Sequence, residues 1–70
     1  MYDYGKLLGR MKEKNITQEK LASSIGGTAA TLSQKLNNKA RFKQSEISRI
    51  CEELSISAEE IGLYFFTHKV

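Results

Sequence analysis

Apolar side chains recur at helical spacing near the start of the chain. Positions i, i+3, i+4 and i+7 of one segment are apolar, a pattern typical of a helix that buries one face; they are Tyr4, Leu7, Leu8 and Met11. Asp3 precedes this stripe and can cap the helix, because its carboxylate accepts hydrogen bonds from free backbone N–H groups. The pattern predicts a first helix with all four apolar side chains in the core.

A second helix is predicted from Gln18 to about Ile25. Thr17 stands just before it and belongs to the residue types that cap helices well. Ile16 and Leu21 flank that cap at the spacing of a hydrophobic staple, in which two apolar side chains fix the angle at which the chain enters a helix. Both features predict that the helix begins directly after Thr17.

Two glycines separate this helix from the next one. Gly26 and Gly27 are expected to end the second helix, and Thr28 can cap a third helix that reaches about Leu36. Two short helices joined by a turn of about three residues cross at a steep angle, which is the helix-turn-helix arrangement.

The polar and basic segment 37–43 is predicted to be a loop, and a fourth helix follows it. The buried stripe of this helix again has the spacing i, i+3, i+4 and i+7; it consists of Ile47, Ile50, Cys51 and Leu54. Cys51 is expected to fill space in the core, since no second cysteine or histidine accompanies it as a metal ligand or catalytic partner.

A fifth helix has the clearest start signal in the chain. Ser57 and Glu60 have the spacing of a capping box, and Ile56 and Ile61 have the spacing of a staple around the same cap. The pattern as a whole predicts an all-α fold with five short helices around one core. One domain is expected over residues 1–66, followed by a short C-terminal tail at residues 67–70.

The C-terminal end of the chain is aromatic. Tyr64, Phe65 and Phe66 follow one another directly, and two interpretations of them remain open. The rings, with the tail to Val70, form a dimer surface, or they close the core beneath the fifth helix.

The net charge of +3 conceals an uneven distribution. Residues 1–45 hold nine Lys/Arg and three Asp/Glu, a balance of +6, whereas residues 46–70 hold two and five, a balance of −3. Four cations follow one another without an acidic residue between them: Lys35, Lys39, Arg41 and Lys43. This basic half is the expected face for a polyanion, and a solvated loop is the alternative.

Several classes of protein are disfavoured by the composition. The chain has no proline and one cysteine, which favours helices and excludes an internal disulfide. No segment looks like a signal peptide or a membrane span, so the cytoplasm of a bacterial host is expected. No cofactor or metal site is expected, and neither is catalysis, because His68, the single histidine, has no catalytic partner at any recognisable spacing.

The third helix presents a surface of small and amide side chains. At about 100° per residue, placing Leu32 on the buried side leaves the other side of the helix to small and amide residues; these are Ala29, Ala30, Ser33, Gln34 and Asn37. Small side chains let a helix approach base edges in the major groove, and Gln34 can offer an acceptor and a donor to adenine. The first four of these residues are therefore predicted to contact DNA bases, with an ordinary exposed helix face as the alternative.

A second set of residues is predicted to contact the DNA backbone. Free N–H groups at a helix start attract phosphate, and basic side chains hold it by charge. The set consists of Gln18, Thr28, Asn37, Lys39, Arg41 and Lys43.

The segment from Thr17 to Lys39 resembles the helix-turn-helix of the lambda repressor and Cro family, also called the Xre family. Gln18 opens the motif, Ala22 stands where close helix contact requires a small residue, Gly26 ends the first helix, and Leu32 occupies the buried position of the second. The resemblance extends over almost the whole chain and is closest to small Cro-like regulators from phages of Gram-positive hosts. Two positions depart from the family pattern: Lys35 replaces an aliphatic residue, and Asn38 replaces a common glycine.

This resemblance implies a lambda repressor-like fold and a transcriptional regulator. Two copies would bind a double-stranded DNA operator as a homodimer, formed in solution or only on DNA, with the third helix in the major groove. The alternative is an antirepressor or modulator that keeps the fold but acts by binding a phage repressor protein, since a fold does not determine a function.

Overall fold

The chain folds into five α-helices without a β-sheet in a computed structural model that describes all 70 residues. A single 3-10 turn at Ala58–Glu60 leads into the last helix. The helices are α1 (Gly5–Glu13), α2 (Gln18–Ser24), α3 (Ala29–Leu36), α4 (Gln44–Leu54) and α5 (Ile61–Phe65). The predicted all-α fold with five helices is confirmed.

Side-chain caps determine where the helices begin. Thr17 Oγ1 accepts a hydrogen bond from the Lys20 N–H at 3.1 Å, as predicted for the start of α2. Thr28 Oγ1 accepts the Thr31 N–H at 3.3 Å, and Thr31 Oγ1 accepts the Thr28 N–H at 3.0 Å. This is a capping box in which threonine replaces the usual Glu or Gln. Both caps satisfy N–H groups that have no partner within the helix.

The first helix begins one residue later than its predicted cap implies. Tyr4 occupies the N-cap position, while Asp3 Oδ1 still accepts the Gly5 N–H at 2.8 Å. The prediction that Leu8 lies in the core is wrong, because its side chain is 42% exposed. At about 100° per residue, Leu8 lies at the edge of the arc centred on Tyr4, Leu7 and Met11, which are buried.

One apolar core holds the helices together. Its fully buried large side chains come from every helix; they are Leu7, Leu21, Leu32, Ile50, Leu54 and Phe65. Cys51 also lies in this core, as the stripe of α4 predicts, and burial raises the pKa of its thiol. Burial on this scale stabilises the fold by about 1.5–3 kcal/mol for each large apolar side chain.

The turn between α2 and α3 depends on glycine. Gly26 has a φ of 75°, in the left-handed region that side chains with a Cβ rarely adopt. A Cβ at Gly27 would lie 2.9 Å from Thr31 Oγ1, the hydroxyl group of the capping box. The two short helices joined by a tight turn are present as predicted, and α2 and α3 pack against each other.

The end of α3 is joined to the start of α4 by an ion pair. Lys35 Nζ contacts Glu46 Oε2, with 14% and 13% of their side chains exposed. Leu36, the next residue, packs against the core. A lysine is tolerated at position 35 because its ammonium group has a carboxylate partner in this nearly buried place.

Two further contacts tie distant parts of the chain together. Arg10 Nε donates to the Leu54 carbonyl at 2.9 Å, and an Arg10 Nη atom donates to the Ser55 carbonyl at 3.0 Å. These carbonyls lie at the C-terminal end of α4, where backbone acceptors lack helical partners and a positive charge is favourable.

The two ends of the chain pair with each other. Tyr2 and His68 form an isolated antiparallel bridge. The Asp3 N–H donates to the Thr67 carbonyl at 2.6 Å, and the Lys69 N–H donates to the Met1 carbonyl at 2.9 Å. Residues of the predicted tail therefore lie beside the N-terminal segment.

Candidate interaction surface

The exposed face of α3 contains the four residues predicted to contact bases. Ala30 and Gln34 are exposed, and Ala29 and Ser33 are half-buried. Leu32 on the opposite side is fully buried. Asn37 Nδ2 donates to the Ser33 carbonyl at 2.8 Å and to Ser33 Oγ at 3.3 Å, so this part of the face is already hydrogen-bonded.

All six residues predicted to contact the DNA backbone are exposed, but they do not form one cluster along the chain. Gln18 and Thr28 lie at the starts of α2 and α3, and the Thr28 side chain is used in the capping box. The other four lie at the end of α3 and in the following loop; they are Asn37, Lys39, Arg41 and Lys43.

The cations of this loop have no ion-pair partner within the chain. The chain contains only two ion pairs, Lys35 with Glu46 and Arg49 with Glu52. Burial by itself would raise the pKa of Glu46, but its hydrogen bonds with Lys35 and with the Lys43 N–H, and the positive charges of both residues, hold that pKa below its ordinary value. Glu46 is therefore already engaged, which leaves Lys39, Arg41 and Lys43 free to attract an external anion.

A cleft of about 500 Å³ lies beside this loop. It is bounded by the N-terminal segment, the loop after α3, one residue of α4 and the end of α5. Eight of its ten lining residues are hydrophobic, and the polar ones are Asn38 and Arg41. The full lining is Met1, Tyr2, Tyr4, Asn38, Ala40, Arg41, Phe42, Ile47, Phe65 and Phe66.

Aromatic rings form most of the cleft wall. Tyr2 and Phe66 meet edge to face with centroids 5.7 Å apart, and Phe42 meets Tyr4 and Phe65 in the same way at 5.4 Å. Such edge-to-face pairs stabilise by about 0.5–1.5 kcal/mol beyond the area they bury. Burial, followed by the neighbouring Tyr2, raises the pKa of the Tyr4 phenol.

Only part of the aromatic C-terminus closes the core, which is one of the two roles considered from the sequence. Phe65 is only 1% exposed and belongs to the core, whereas Phe66 is 48% exposed at the cleft. Tyr64 is half-buried against the core.

Asn38 holds the N-terminal wall of the cleft in place. Its Oδ1 accepts the Tyr2 N–H and its Nδ2 donates to the Tyr2 carbonyl, both at 2.9 Å. Asn38 has a φ of 63°, a left-handed conformation that asparagine tolerates better than most residues.

The loop that borders the cleft leaves backbone groups free. The Lys39 N–H donates to the Gln34 carbonyl and the Lys43 N–H donates to Glu46 Oε1, each at 2.8 Å. Between these two bonds, the N–H and carbonyl groups of Ala40, Arg41 and Phe42 form no hydrogen bond within the chain. Arg41 to Lys43 have no helical structure, and Lys43 is extended.

The sequence reasoning missed the cleft because its residues come from four separated parts of the chain. Periodicity identifies which residues of one helix are buried, but it does not show which loops meet. The aromatic residues at both ends of the chain were the one available signal. Those at the C-terminus were considered as a dimer surface or as core, Tyr4 was considered only as core, and Tyr2 was not considered.

Comparison with protein families gives a match over nearly the whole chain. The family model described as protein of unknown function (DUF739) matches residues 1–68. Among solved structures, the chain is similar to the solution structure of the modulator of repression (MOR) of the temperate bacteriophage TP901-1 from Lactococcus lactis. Sequence identity is 40%, the match covers 99% of this chain and 93% of that chain, and the TM-score is 0.77. No curated protein matches the sequence.

These findings overturn the family and the function predicted from the sequence. Assignment to the lambda repressor and Cro family is wrong, since the matching family and the similar structure are different ones. The main functional prediction, a Cro-like repressor that binds an operator through α3, is wrong for the same reason, because the similar protein is a modulator of repression. A helix-turn-helix with a basic loop is compatible with both functions, so the motif alone could not distinguish them.

No helix of the chain combines the length and the apolar character that crossing a membrane would require.

Proposed function

We propose that this chain, which belongs to the family described as protein of unknown function (DUF739), modulates repression by binding a phage repressor protein. The observation that carries the proposal is its 40% identity, over 99% of its length, with a phage modulator of repression. This is the function that the sequence reasoning kept as its alternative.

The size of the chain supports action through a protein interface. Its accessible surface is 4790 Å², and a stable interface covers roughly 800 Å² of each partner. About a sixth of the surface is therefore enough to hold a repressor. The larger of the chain's two surface cavities is an apolar cleft with one cation, and apolar surface is the kind that protein interfaces bury at their centre.

Modulation follows from linked equilibria. A protein that binds free repressor more tightly than operator-bound repressor withdraws repressor from DNA by mass action. A protein with the opposite preference holds repressor on DNA. The chain needs no contact of its own with DNA in either case.

The proposal is tested with the repressor encoded in the same genome. Gel-shift assays would use labelled operator DNA of that repressor, with the repressor alone, this protein alone, and both together. We expect this protein to form a complex with the repressor in size-exclusion chromatography and to change the amount of shifted DNA. A repressor from an unrelated phage is the control.

The result that contradicts the proposal is equally specific. The proposal is wrong if this protein leaves the binding of repressor to DNA unchanged, does not co-elute with the repressor, and shifts the DNA by itself in a sequence-dependent way. The homodimer expected from the sequence stays a prediction, which analytical ultracentrifugation of the purified chain tests. The absence of catalysis also stays a prediction.

A further inference from the structure

We propose that the aromatic cleft is the docking site for an extended acidic segment of the repressor protein, which inserts one large apolar side chain between the rings. This inference rests on the proposed function and adds which surface is used and what chemistry the partner supplies. Three independent features of the cleft support it: its shape, the charges at its rim and its free backbone groups.

The shape of the cleft suits an apolar anchor. A cavity of about 500 Å³ lined mostly by hydrophobic residues is large enough for an aromatic or long aliphatic side chain with part of its backbone. Ala40 is the smallest residue of this lining, and Phe66, in the same lining, is about half exposed. Large apolar side chains that fill such pockets contribute most of the binding energy at protein interfaces.

The positive charges at the rim of the cleft favour a partner with carboxylate groups. Arg41 lines the cleft, Lys39 and Lys43 stand two residues away on either side, and none of the three has an ion-pair partner. The nearest carboxylate in sequence, Glu46, is engaged by Lys35 and by the Lys43 N–H. An acidic segment would supply the charge that the chain itself lacks, and an arginine can bind a carboxylate through two parallel hydrogen bonds.

The free backbone of the loop favours an extended peptide as the occupant. Ala40, Arg41 and Phe42 carry N–H and carbonyl groups without intramolecular partners. The Tyr2 backbone, by contrast, is already hydrogen-bonded to the Asn38 side chain. Pairing of main-chain groups with an added extended segment is a common mode of peptide recognition, in which side-chain pockets provide the specificity.

The same cleft fits a nucleobase less well than a peptide side chain. Base recognition by aromatic residues requires exposed ring faces on which bases stack. Here Tyr2 packs against Phe66 and Phe42 packs against two further rings, in each case edge to face. An edge-to-face contact places the edge of one ring on a face of the other. These pairs therefore leave less ring face on which a base could stack.

The test uses two variants in the cleft, each with a matched control. Ala40→Trp fills the cleft, and its control Ala30→Trp places the same ring on the exposed face of α3. Arg41→Glu reverses the charge at the rim, and its control Lys20→Glu reverses an exposed charge on α2. Circular dichroism and thermal unfolding of each variant establish that it is folded. If Ala40→Trp proves unstable, Arg41→Glu still tests the cleft, because it alters only an exposed side chain.

Binding of each variant to the purified repressor is measured by isothermal titration calorimetry, and fluorescent peptides that tile the repressor sequence are measured by anisotropy. We expect both cleft variants to weaken repressor binding by at least about tenfold, as for residues at the centre of an interface, and both controls to stay within about threefold. We expect an acidic peptide with a large apolar residue to compete with the intact repressor, and added salt to weaken its binding.

Each alternative occupant gives a different result. Loss of binding with Ala30→Trp but not with Ala40→Trp would overturn the docking site while the proposed function stands. A wild-type protein that binds no repressor would overturn the proposed function itself. Two further results would also overturn the inference. An oligonucleotide that displaces the repressor from the wild-type protein but does not bind the Ala40→Trp variant would assign the cleft to nucleic acid. A dimer of this chain that dissociates when Ala40→Trp is introduced would assign the cleft to a second copy.

Discussion

Asn38 offers the sharpest test of how the fold shapes the cleft. Its amide forms two hydrogen bonds with the Tyr2 backbone, each 2.9 Å long, and its own backbone is left-handed. Replacing it by glycine removes the hydrogen bonds but keeps a backbone that adopts this conformation easily. Replacing it by alanine removes the hydrogen bonds and adds backbone strain.

The expected magnitudes follow from these contacts. A hydrogen bond within a protein contributes about 0.5–1.5 kcal/mol, so we expect Asn38→Gly to lower the free energy of unfolding by about 1–3 kcal/mol. Asn38→Ala should lose about 1–2 kcal/mol more, because a Cβ disfavours the left-handed region. In a domain of this size 1 kcal/mol corresponds to a shift in Tm of about 4–8 °C.

The chain contains a matched control for this measurement. Asn15 also has a positive φ, of 56°, but it is exposed and its side chain belongs to no hydrogen bond of the chain. Asn15→Gly should therefore change Tm little. Thermal unfolding followed by circular dichroism gives the three values, and hydrogen exchange of the Tyr2 amide should accelerate in both Asn38 variants. Equal Tm values for Asn38→Gly and Asn15→Gly would refute the assigned role of the amide.

Three further predictions concern other parts of the fold. Arg10→Met should lower the free energy of unfolding in urea by about 1–3 kcal/mol, because the carbonyls at the end of α4 lose a charged donor; an unchanged urea midpoint would contradict this. The pKa of Glu46 lies below its ordinary value in the folded chain, so its contribution to stability is present above the ordinary pKa and is lost as the pH falls through the lowered one. Glu46→Gln should accordingly flatten the fall in Tm on acidification below about pH 5, and an unaltered pH profile would argue against the ion pair. Gly26→Ala should destabilise by about 1–2 kcal/mol because of its positive φ, whereas Gly9→Ala, in an open position of α1, should stabilise by about 1 kcal/mol; the same sign for both would be inconsistent with the observed turn.

The family comparison changes how the α3 face is understood. On this face Ala30 and Gln34 are exposed and Ala29 and Ser33 are half-buried, but exposure of such side chains does not establish that DNA covers them. The main functional prediction was wrong because a helix-turn-helix describes how two helices cross, and several kinds of partner can use the surfaces around it.

Local interactions made the helices predictable from the chain alone. Thr17 and Thr28 cap helices because an oxygen two bonds from the backbone reaches an N–H only two or three residues away. The stripe of α4 was predicted correctly for the same reason, since helical periodicity is a property of neighbouring residues. The prediction for Leu8 was wrong because periodicity identifies the apolar side of a helix, but it does not show how much of that side the other helices cover.

Tertiary structure alone decided the candidate site. Tyr2, Asn38, Arg41 and Phe66 are brought to one cleft by the pairing of the chain ends and by a left-handed turn. These are contacts between residues more than 20 positions apart in most cases, and no local pattern encodes them. Sequence therefore determined the helices, through interactions between neighbouring residues, and the positive charge of the loop. Folding determined which of those charges lies beside the apolar cleft, because only packing brings distant segments together.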